Sequence, residues 1–198
     1  MIPEYPIEEN PAVYERIGKV PPEWWDDERE MDASPDHSNF EFTYPDIEVT
    51  RQDVERLLDW ERSVLEAIDR EATSLSEFES LCESAHKGGD EDDARPTHLD
   101  IGVVAACQAL ALAGWTTTYS CRGHEWSTPG IRVIGDRKSR NEFDELQART
   151  IEANCHLSNY GHGLLLIQAR SVQSFVGLAV VLLDNLASSQ HMSKFRHN

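Results

Sequence analysis

The stretch IGVVAACQALALAGWTTTYSCRGH, residues 101–124, decides the fold that the sequence predicts. Residues 101–113 are apolar on nearly every side, which predicts a helix that is buried all round. Thr97 with Asp100 resembles a capping box at the start of this helix. The β-rich residues 115–120 then predict a strand.

Downstream of this stretch the sequence stays regular. Residues 131–136 predict a second short strand, and the apolar run 163–170 predicts a strand covered on both faces. Helices are predicted to begin at Ser139, with Glu142 as its capping partner, and at Ser171. The C-terminal half is therefore predicted as α-β-β-α-β-α, an α/β (α+β) fold in which helices pack on a small sheet.

The first 96 residues have a different character. Seven of the nine prolines lie before residue 50, and because proline disfavours long helices and central strands, this segment is predicted to be extended. Apolar residues then recur at helical spacing, up to a run with two glycines and several carboxylates. The predicted parts of the chain are an acidic, aromatic-bearing arm (1–49), a helical pair (50–86), an acidic linker (87–96), the α/β domain (97–187) and a polar tail (188–198).

Acidic residues are concentrated in the first half of the chain. Residues 1–96 hold 28 Asp and Glu against 9 Lys and Arg, whereas residues 97–198 hold 8 against 9. A negative field of this kind repels nucleic-acid phosphates, so direct nucleic-acid binding is not expected, and it attracts a basic protein surface. Two interpretations of residues 1–96 stay open: a docking region for a basic protein partner, and a surface that only keeps the protein in solution.

The bulk sequence predicts a cytoplasmic protein. No apolar run reaches the ~18 residues that a membrane span needs, so no membrane contact is expected. The opening residues MIPEYPIEEN are acidic and contain prolines, which does not fit a signal peptide. Four cysteines in 198 residues are too sparse for a secreted disulfide scaffold.

Two polar clusters contain the residue types that carry chemistry. The first lies at the end of the first predicted strand, where Cys121 and His124 have a C-x-x-H spacing around Arg122 and Gly123. The second, NCHLSNYGHG (154–163), comes before the third predicted strand, and its reactive or polar residues are Cys155, His156, Asn159, Tyr160 and His162. If the first and third predicted strands are neighbours, the two clusters meet at one edge of the sheet.

Four interpretations of these clusters stay open. The first is a site for an anionic small molecule or nucleotide, held by Arg122, by the backbone amides of 121–123 and by the hydroxyls of 117–120. The second is a nucleophile, Cys121, with His124 as its general base. The third is a zinc site, with the ligands Cys121, His124, Cys155 and His156 or His162. The fourth is a tight turn whose polar groups satisfy one another.

The residues THLDIGVVAACQALALAGWTTTYSCRGH (97–124) combine an aspartate, an apolar helix that ends in glycine, a short strand and an S-C-x-G-[HR] turn. This order resembles small bacterial and phage proteins, and it is similar to the N-terminal part of the wybutosine-synthesising tRNA methyltransferases that act at the third step. An apolar strand ending in arginine, like 163–170, extends the resemblance over 97–187. It implies site residues at Ser120, Cys121, Gly123 and Arg170. This chain has His124 where those methyltransferases have arginine.

The leading prediction is a small-molecule or nucleotide-binding protein with its site at the S-C-R-G-H turn, with catalysis left open. The predicted catalytic residues are Cys121 and His124, and the predicted ligand-binding residues are Thr118, Ser120, Arg122, Gly123, His162 and Arg170. No cofactor other than the zinc of the third interpretation is identified. The alternative is an acidic protein-interaction module without catalysis, such as a phage or bacterial regulator or inhibitor that mimics nucleic acid.

Overall fold

A computed structural model describes residues 1–5, 7, 49–87, 99–124, 128–135, 138–161 and 163–194. Within these ranges the chain forms five helices and a four-stranded sheet, so the predicted mixed α+β fold is confirmed. In chain order the elements are α1 (Arg51–Glu71), α2 (Leu75–Lys87), α3 (Val104–Leu112), β1 (Thr117–Cys121), β2 (Gly130–Ile134), α4 (Arg140–Glu152), β3 (Cys155–Gly161), β4 (Leu164–Ala169) and α5 (Val172–Lys194).

The sheet has the strand order β1-β2-β4-β3, and every neighbouring pair is antiparallel. Within residues 97–187 the sequence predicts three strands, and it assigns 154–163 to a polar, loop-like cluster rather than to β3. That assignment is wrong because β3 alternates: Cys155 and Leu157 are buried, while His156 and Ser158 on the other face are only half-buried. A strand with one polar face gives no continuous apolar run, although it is typical of antiparallel sheets.

Helices α3, α4 and α5 pack on one face of the sheet, and α1 packs on α3 and α5 behind them. The buried strand residues on that face include Ile131, Val133, Leu157, Leu165 and Ile167. Helix α3 is buried along residues 104–110, as its apolar sequence predicts. The other face of β4 includes the half-buried Leu166 and Gln168, so the expectation that this strand is covered equally on both faces is not met.

The helical pair predicted at 50–86 corresponds to α1 and α2. Thr50 and Asp53 form a capping box at the start of α1, and Val54 and Leu58 belong to the same apolar cluster as the sheet. Most of the predicted arm and linker lies outside the described residues. Helix α5 continues to Lys194, past the predicted end of the domain at 187.

The start of α3 is capped from another helix. Its N-cap residue Val103 makes no side-chain capping bond. The carboxylate of Glu61, on α1, instead accepts hydrogen bonds from the backbone N–H groups of Gly102, Val104 and Ala105, at 2.7, 2.9 and 3.1 Å. The Thr97–Asp100 cap expected from the sequence therefore does not describe this helix: Asp100 has another partner, and Thr97 lies outside the described residues.

Within the described ranges, every helix is too short or too polar to span a bilayer.

Candidate functional site

The residues of the S-C-R-G-H turn lie where β1 ends. The turn depends on Gly123, whose φ is +87° and whose position leaves no room for a Cβ atom, because that atom would lie 2.7 Å from Cγ and Cδ of Pro129. A positive φ is itself costly for residues other than glycine. Gly123 thus lets the chain fold back sharply, which brings the side chains of residues 121–124 together with two other segments, the loop before α3 and helix α2.

The loop before α3 contributes Asp100, which binds Arg122 twice. Arg122 Nη1 donates to Asp100 Oδ1 at 2.9 Å, and the Arg122 backbone N–H donates to Asp100 Oδ2 at 3.2 Å. Arg122 is buried, and a buried guanidinium needs such a partner because burial removes it from water. The pair fixes the position of the Asp100 carboxylate beside the turn.

Helix α2 contributes Glu79, whose Oε1 lies 3.2 Å from His124 Nδ1. A carboxylate in this position holds a proton on Nδ1, and it thereby puts the lone pair of the neutral ring on Nε2. An imidazole oriented in this way is suited to bind a metal ion or to take a proton from a neighbouring nucleophile.

Cys121 is the buried member of the group, and the Gly123 backbone N–H donates to its Sγ at 3.3 Å. The Tyr119 hydroxyl is also a hydrogen-bonding neighbour of Cys121, and burial followed by the proximity of Cys121 raises the pKa of Tyr119 to about 12. The thiol is thus held in a polar environment at the strand end, unlike a cysteine in a purely apolar core.

Asp100, Cys121 and His124 form a three-residue cluster in which one ligand atom of each side chain lies within 4.8 Å of the others. In a tetrahedral zinc site with bonds of about 2.0–2.3 Å, ligand atoms lie about 3.3–3.8 Å apart, so small side-chain movements are enough to close this cluster around an ion. The Asp100 and His124 side chains are each 32 % exposed, so two of the three ligand side chains are partly accessible to solvent.

Tyr5 reaches the same region from the N-terminus. Its backbone N–H donates to the carbonyl of Arg170 at 2.7 Å, and its side chain is buried with the hydroxyl unpartnered among the described residues. Burial raises the pKa of Tyr5 to about 12, and Glu79, Arg122 and Cys121 are among its electrostatic neighbours.

The second predicted cluster does not join the first, so the expectation that the two meet at one edge is wrong. β1 and β3 are opposite edges of the sheet, and β1 is separated from the third predicted strand, β4, by β2. Cys121 and His156 lie three strand spacings apart, about 14 Å. Cys155 and His156 are therefore excluded as ligands of a metal held by Cys121 and His124.

The remaining residues of the second cluster have other surroundings. The Cys155 thiol contacts the carbonyls of Ala153 and Ser174, and burial raises the pKa of Cys155 to about 12. It is therefore a core thiol rather than a reactive one. His162 lies outside the described residues.

The other predicted ligand-binding residues are only partly grouped with the turn. Ser120 hydrogen-bonds Cys107 of α3, on the helix side of the sheet, whereas Cys121 belongs to the opposite face because side chains alternate along a strand. Thr118 is half-buried at the irregular register of β1. Arg170 has an exposed side chain and contributes its carbonyl to Tyr5. Their roles stay predictions.

Sequence reasoning missed three contributors to the site, namely Asp100, Glu79 and Tyr5. Thr97 stands three residues before Asp100, and this spacing is typical of a helix cap. The sequence therefore predicts a structural role for Asp100 and no role in a site. Glu79 and Tyr5 are separated from the turn by 45 and by more than 100 residues. No signal in the sequence marks either as a neighbour of His124 or Cys121.

No protein-family model, curated protein or solved structure matches this chain. The resemblance of residues 97–187 to the tRNA methyltransferases stays a prediction.

Proposed function

We propose that the chain binds one divalent transition-metal ion, for which zinc is the best match, through Asp100, Cys121 and His124. The open coordination position then binds and polarises a small-molecule ligand. The observation that supports this proposal is the 4.8 Å cluster of three different metal-binding side chains.

The donor set selects the metal. A thiolate, an imidazole and a carboxylate together suit zinc, whereas calcium and magnesium prefer oxygen ligands alone. Three protein ligands with a fourth position for water or substrate are typical of catalytic zinc sites, while structural sites usually have four protein ligands. Within the described residues the cluster has three such ligands, and this number favours a site that handles a ligand over one that only stabilises the fold.

The neighbours of the three ligands support the same assignment. Glu79 orients His124, and Arg122 orients Asp100 through a 2.9 Å bond that leaves carboxylate lone pairs for a metal. Hydrogen bonds from outside the coordination sphere to the ligands are a general feature of metal sites, since they fix ring orientation and ligand basicity.

The charges of the cluster also favour a bound cation. Asp100 and Glu79 are carboxylates, and Cys121 adds a third negative charge as a thiolate. Arg122 is the positive charge among the side chains described above, and it is paired with Asp100. Two negative charges then remain in excess, namely the thiolate and one carboxylate, and a divalent ion neutralises them.

One alternative has its own supporting observation. Cys121, His124 and Glu79 stand in the order nucleophile, base and orienting carboxylate that cysteine-dependent acyl-transfer sites use. This alternative leaves Asp100 with no chemical role, and it places a carboxylate next to the thiolate that has to form. The metal proposal accounts for all four side chains, so it is preferred.

The test is metal analysis of the full chain purified without added chelator. We expect about one equivalent of zinc per chain, and a loss of most of it in Cys121→Ser and in His124→Ala. Cys155→Ser and His156→Ala are the matched controls on β3 and should retain the metal. Less than about half an equivalent in the wild-type chain, after reconstitution with zinc, would sink the proposal. In that case, rapid alkylation of Cys121 by iodoacetamide in the presence of zinc would favour the alternative in which Cys121 is a catalytic nucleophile.

A further inference from the structure

We infer that the ligand at the open coordination position is an oxyanion, a carboxylate or phosphate group, and that the Tyr5 hydroxyl donates a hydrogen bond to it. This inference rests on the metal site proposed above, and it names both the ligand class and a ligand-binding residue from outside the S-C-R-G-H turn.

The N-terminal segment holds Tyr5 in a defined position. The Ile2 backbone N–H donates to Asp69 Oδ1 at 2.8 Å near the end of α1. Three residues later, the Tyr5 backbone N–H donates to the Arg170 carbonyl at 2.7 Å, just after β4. The segment is thus attached to two elements, and the Tyr5 side chain extends inward from it until only 7 % remains exposed.

The hydroxyl at the end of this side chain lacks a hydrogen-bond partner among the described residues. Tyr5 Oη is buried and makes no hydrogen bond to any residue that the structure describes. Native proteins rarely leave a buried hydroxyl unpaired, because the group has lost its hydrogen bonds to water. Tyr5 is attached to Arg170, two residues after Gln168, and Gln168 pairs with Gly130, which pairs with Cys121, so Tyr5 lies at the same end of the sheet as the S-C-R-G-H turn. Glu79, Arg122 and Cys121 are among its electrostatic neighbours, together with the buried thiol of Cys82.

A second buried donor lies in the same place. Arg122 Nε carries a hydrogen and has no acceptor within the described part of the chain, while Arg122 Nη1 is bound to Asp100. Arg149 Nε, on α4, is unpartnered too, so the arginine nitrogen alone does not mark a site. The unpartnered Tyr5 hydroxyl therefore marks the site, and Arg122 adds a fixed positive charge to its surroundings.

These groups determine the chemistry of the ligand. A phenol hydroxyl that keeps its proton and a guanidinium N–H both donate, so the matching ligand atom is an acceptor. A metal ion beside a guanidinium attracts negative charge, and zinc binds oxygen readily at an open position. A carboxylate or phosphate meets all of these requirements, with one oxygen on the metal and another on Tyr5.

The experiment compares wild-type, Tyr5→Phe and Tyr160→Phe chains loaded with Co²⁺, whose visible absorption changes when its ligands change. Each protein is titrated with acetate and, separately, with inorganic phosphate. We expect Tyr5→Phe to bind at least one of the two probes about tenfold more weakly, the loss of one hydrogen bond to a charged group. Tyr160→Phe, which removes an exposed hydroxyl on β3, should bind as the wild type does.

Thermal unfolding of the metal-free proteins separates this role from a structural one. Because the Tyr5 hydroxyl makes no bond to the described protein, Tyr5→Phe should melt at the wild-type temperature or above it. A lower melting temperature would show that the hydroxyl has a structural partner, and it would overturn the inference.

The two proposals fail in different ways. If wild-type chains take up Co²⁺ but bind neither probe, or if Tyr5→Phe binds both probes as tightly as wild type, the oxyanion inference is wrong and the metal site stands. If wild-type chains do not take up Co²⁺, the metal site itself is wrong. A loss confined to acetate assigns carboxylates, and a loss confined to phosphate assigns phosphate groups.

Discussion

Gly123 is the residue on which the geometry of the site depends most directly. It combines a φ of +87° with a Cβ position only 2.7 Å from the Pro129 ring. Gly114 provides a matched comparison, because its φ is +81° but the nearest atom to an added Cβ, Lys138 Nζ, is 3.5 Å away. An alanine at either position would therefore meet the same backbone cost, and only an alanine at position 123 would also overlap a neighbouring side chain.

We expect Gly114→Ala to lower the free energy of unfolding by about 1–2 kcal/mol through backbone strain alone. Gly123→Ala should lose about 1–3 kcal/mol more from overlap with Pro129, and it should also lose metal because Cys121 and His124 move apart. Urea unfolding and metal analysis of both variants provide the check. Equal destabilisation by the two substitutions, with metal retained in both, would mean that the turn tolerates a side chain at 123.

At the scale of single residues, the sequence predicts the part of the candidate site that is contiguous in the chain. It does not predict the residues that other segments contribute. Cys121, Arg122 and His124 were predicted as a group because they are adjacent in the chain. The residues that orient them, Asp100 and Glu79, come from other segments, and only the tertiary fold brings them near. A sequence pattern reflects interactions between residues that are near in the chain. It therefore does not show which distant residues the tertiary fold brings next to the turn.

At the scale of elements, Glu61 connects α1 to α3. It is fully buried and accepts three backbone N–H bonds at the start of α3. Burial raises the pKa of Glu61 from 4.5 to about 7, although the three donors act in the opposite direction. The folded state thus binds the proton more tightly than the unfolded chain does.

The pH dependence of stability follows from the direction of this pKa shift. A raised carboxyl pKa contributes stability that is fully present below about pH 4.5 and is lost as the pH rises through about 7. Relative to Glu61→Gln, which has no titrating group, wild type should lose up to about 3 kcal/mol of unfolding free energy between pH 4.5 and 8. Burial also raises the pKa values of the neighbouring thiols Cys82, to about 12, and Cys107, so neither titrates in this window.

Urea denaturation of both proteins at several pH values between 4.5 and 8 measures this difference. Parallel pH curves for wild type and Glu61→Gln would show that the pKa of Glu61 is the same in the folded and the unfolded chain, and the predicted loss of stability would be wrong.

The elements were predicted unevenly, for identifiable reasons. Helix α3 was predicted from an apolar run that is buried on all sides, and α1 from its periodicity and its Thr50–Asp53 cap. Strand β3 was missed because only alternate residues, such as Cys155 and Leu157, face the core. The cap of α3 was misassigned because its true partner, Glu61, lies 41 residues away from Gly102.

At the scale of the whole molecule, strand order decides which residues can act together. Because β1 and β3 are the two edges of the sheet, the cysteine–histidine pairs that look alike in the sequence are far apart in space. The site proposed instead combines β1, the loop before α3, helix α2 and the N-terminal segment. A sequence read one segment at a time predicts neither arrangement.

The acidic first half raises a separate question. Most of the charge that distinguishes residues 1–96 lies in the arm and the linker, which are largely outside the described residues. A basic protein partner for this region stays a prediction. It is independent of the proposed metal site, since Glu79, the acidic residue of this half that joins that site, hydrogen-bonds His124 within the same chain.

In the proposed site, three side chains from two segments of the chain, the loop before α3 and the turn after β1, bind one metal ion. The most direct test is an anomalous difference map from crystals of the zinc-loaded chain, recorded on both sides of the zinc absorption edge. We predict one peak within about 2.0–2.3 Å of Asp100 Oδ, Cys121 Sγ and His124 Nε2. A zinc-loaded crystal with no peak there, or with the peak on other residues, would contradict the account.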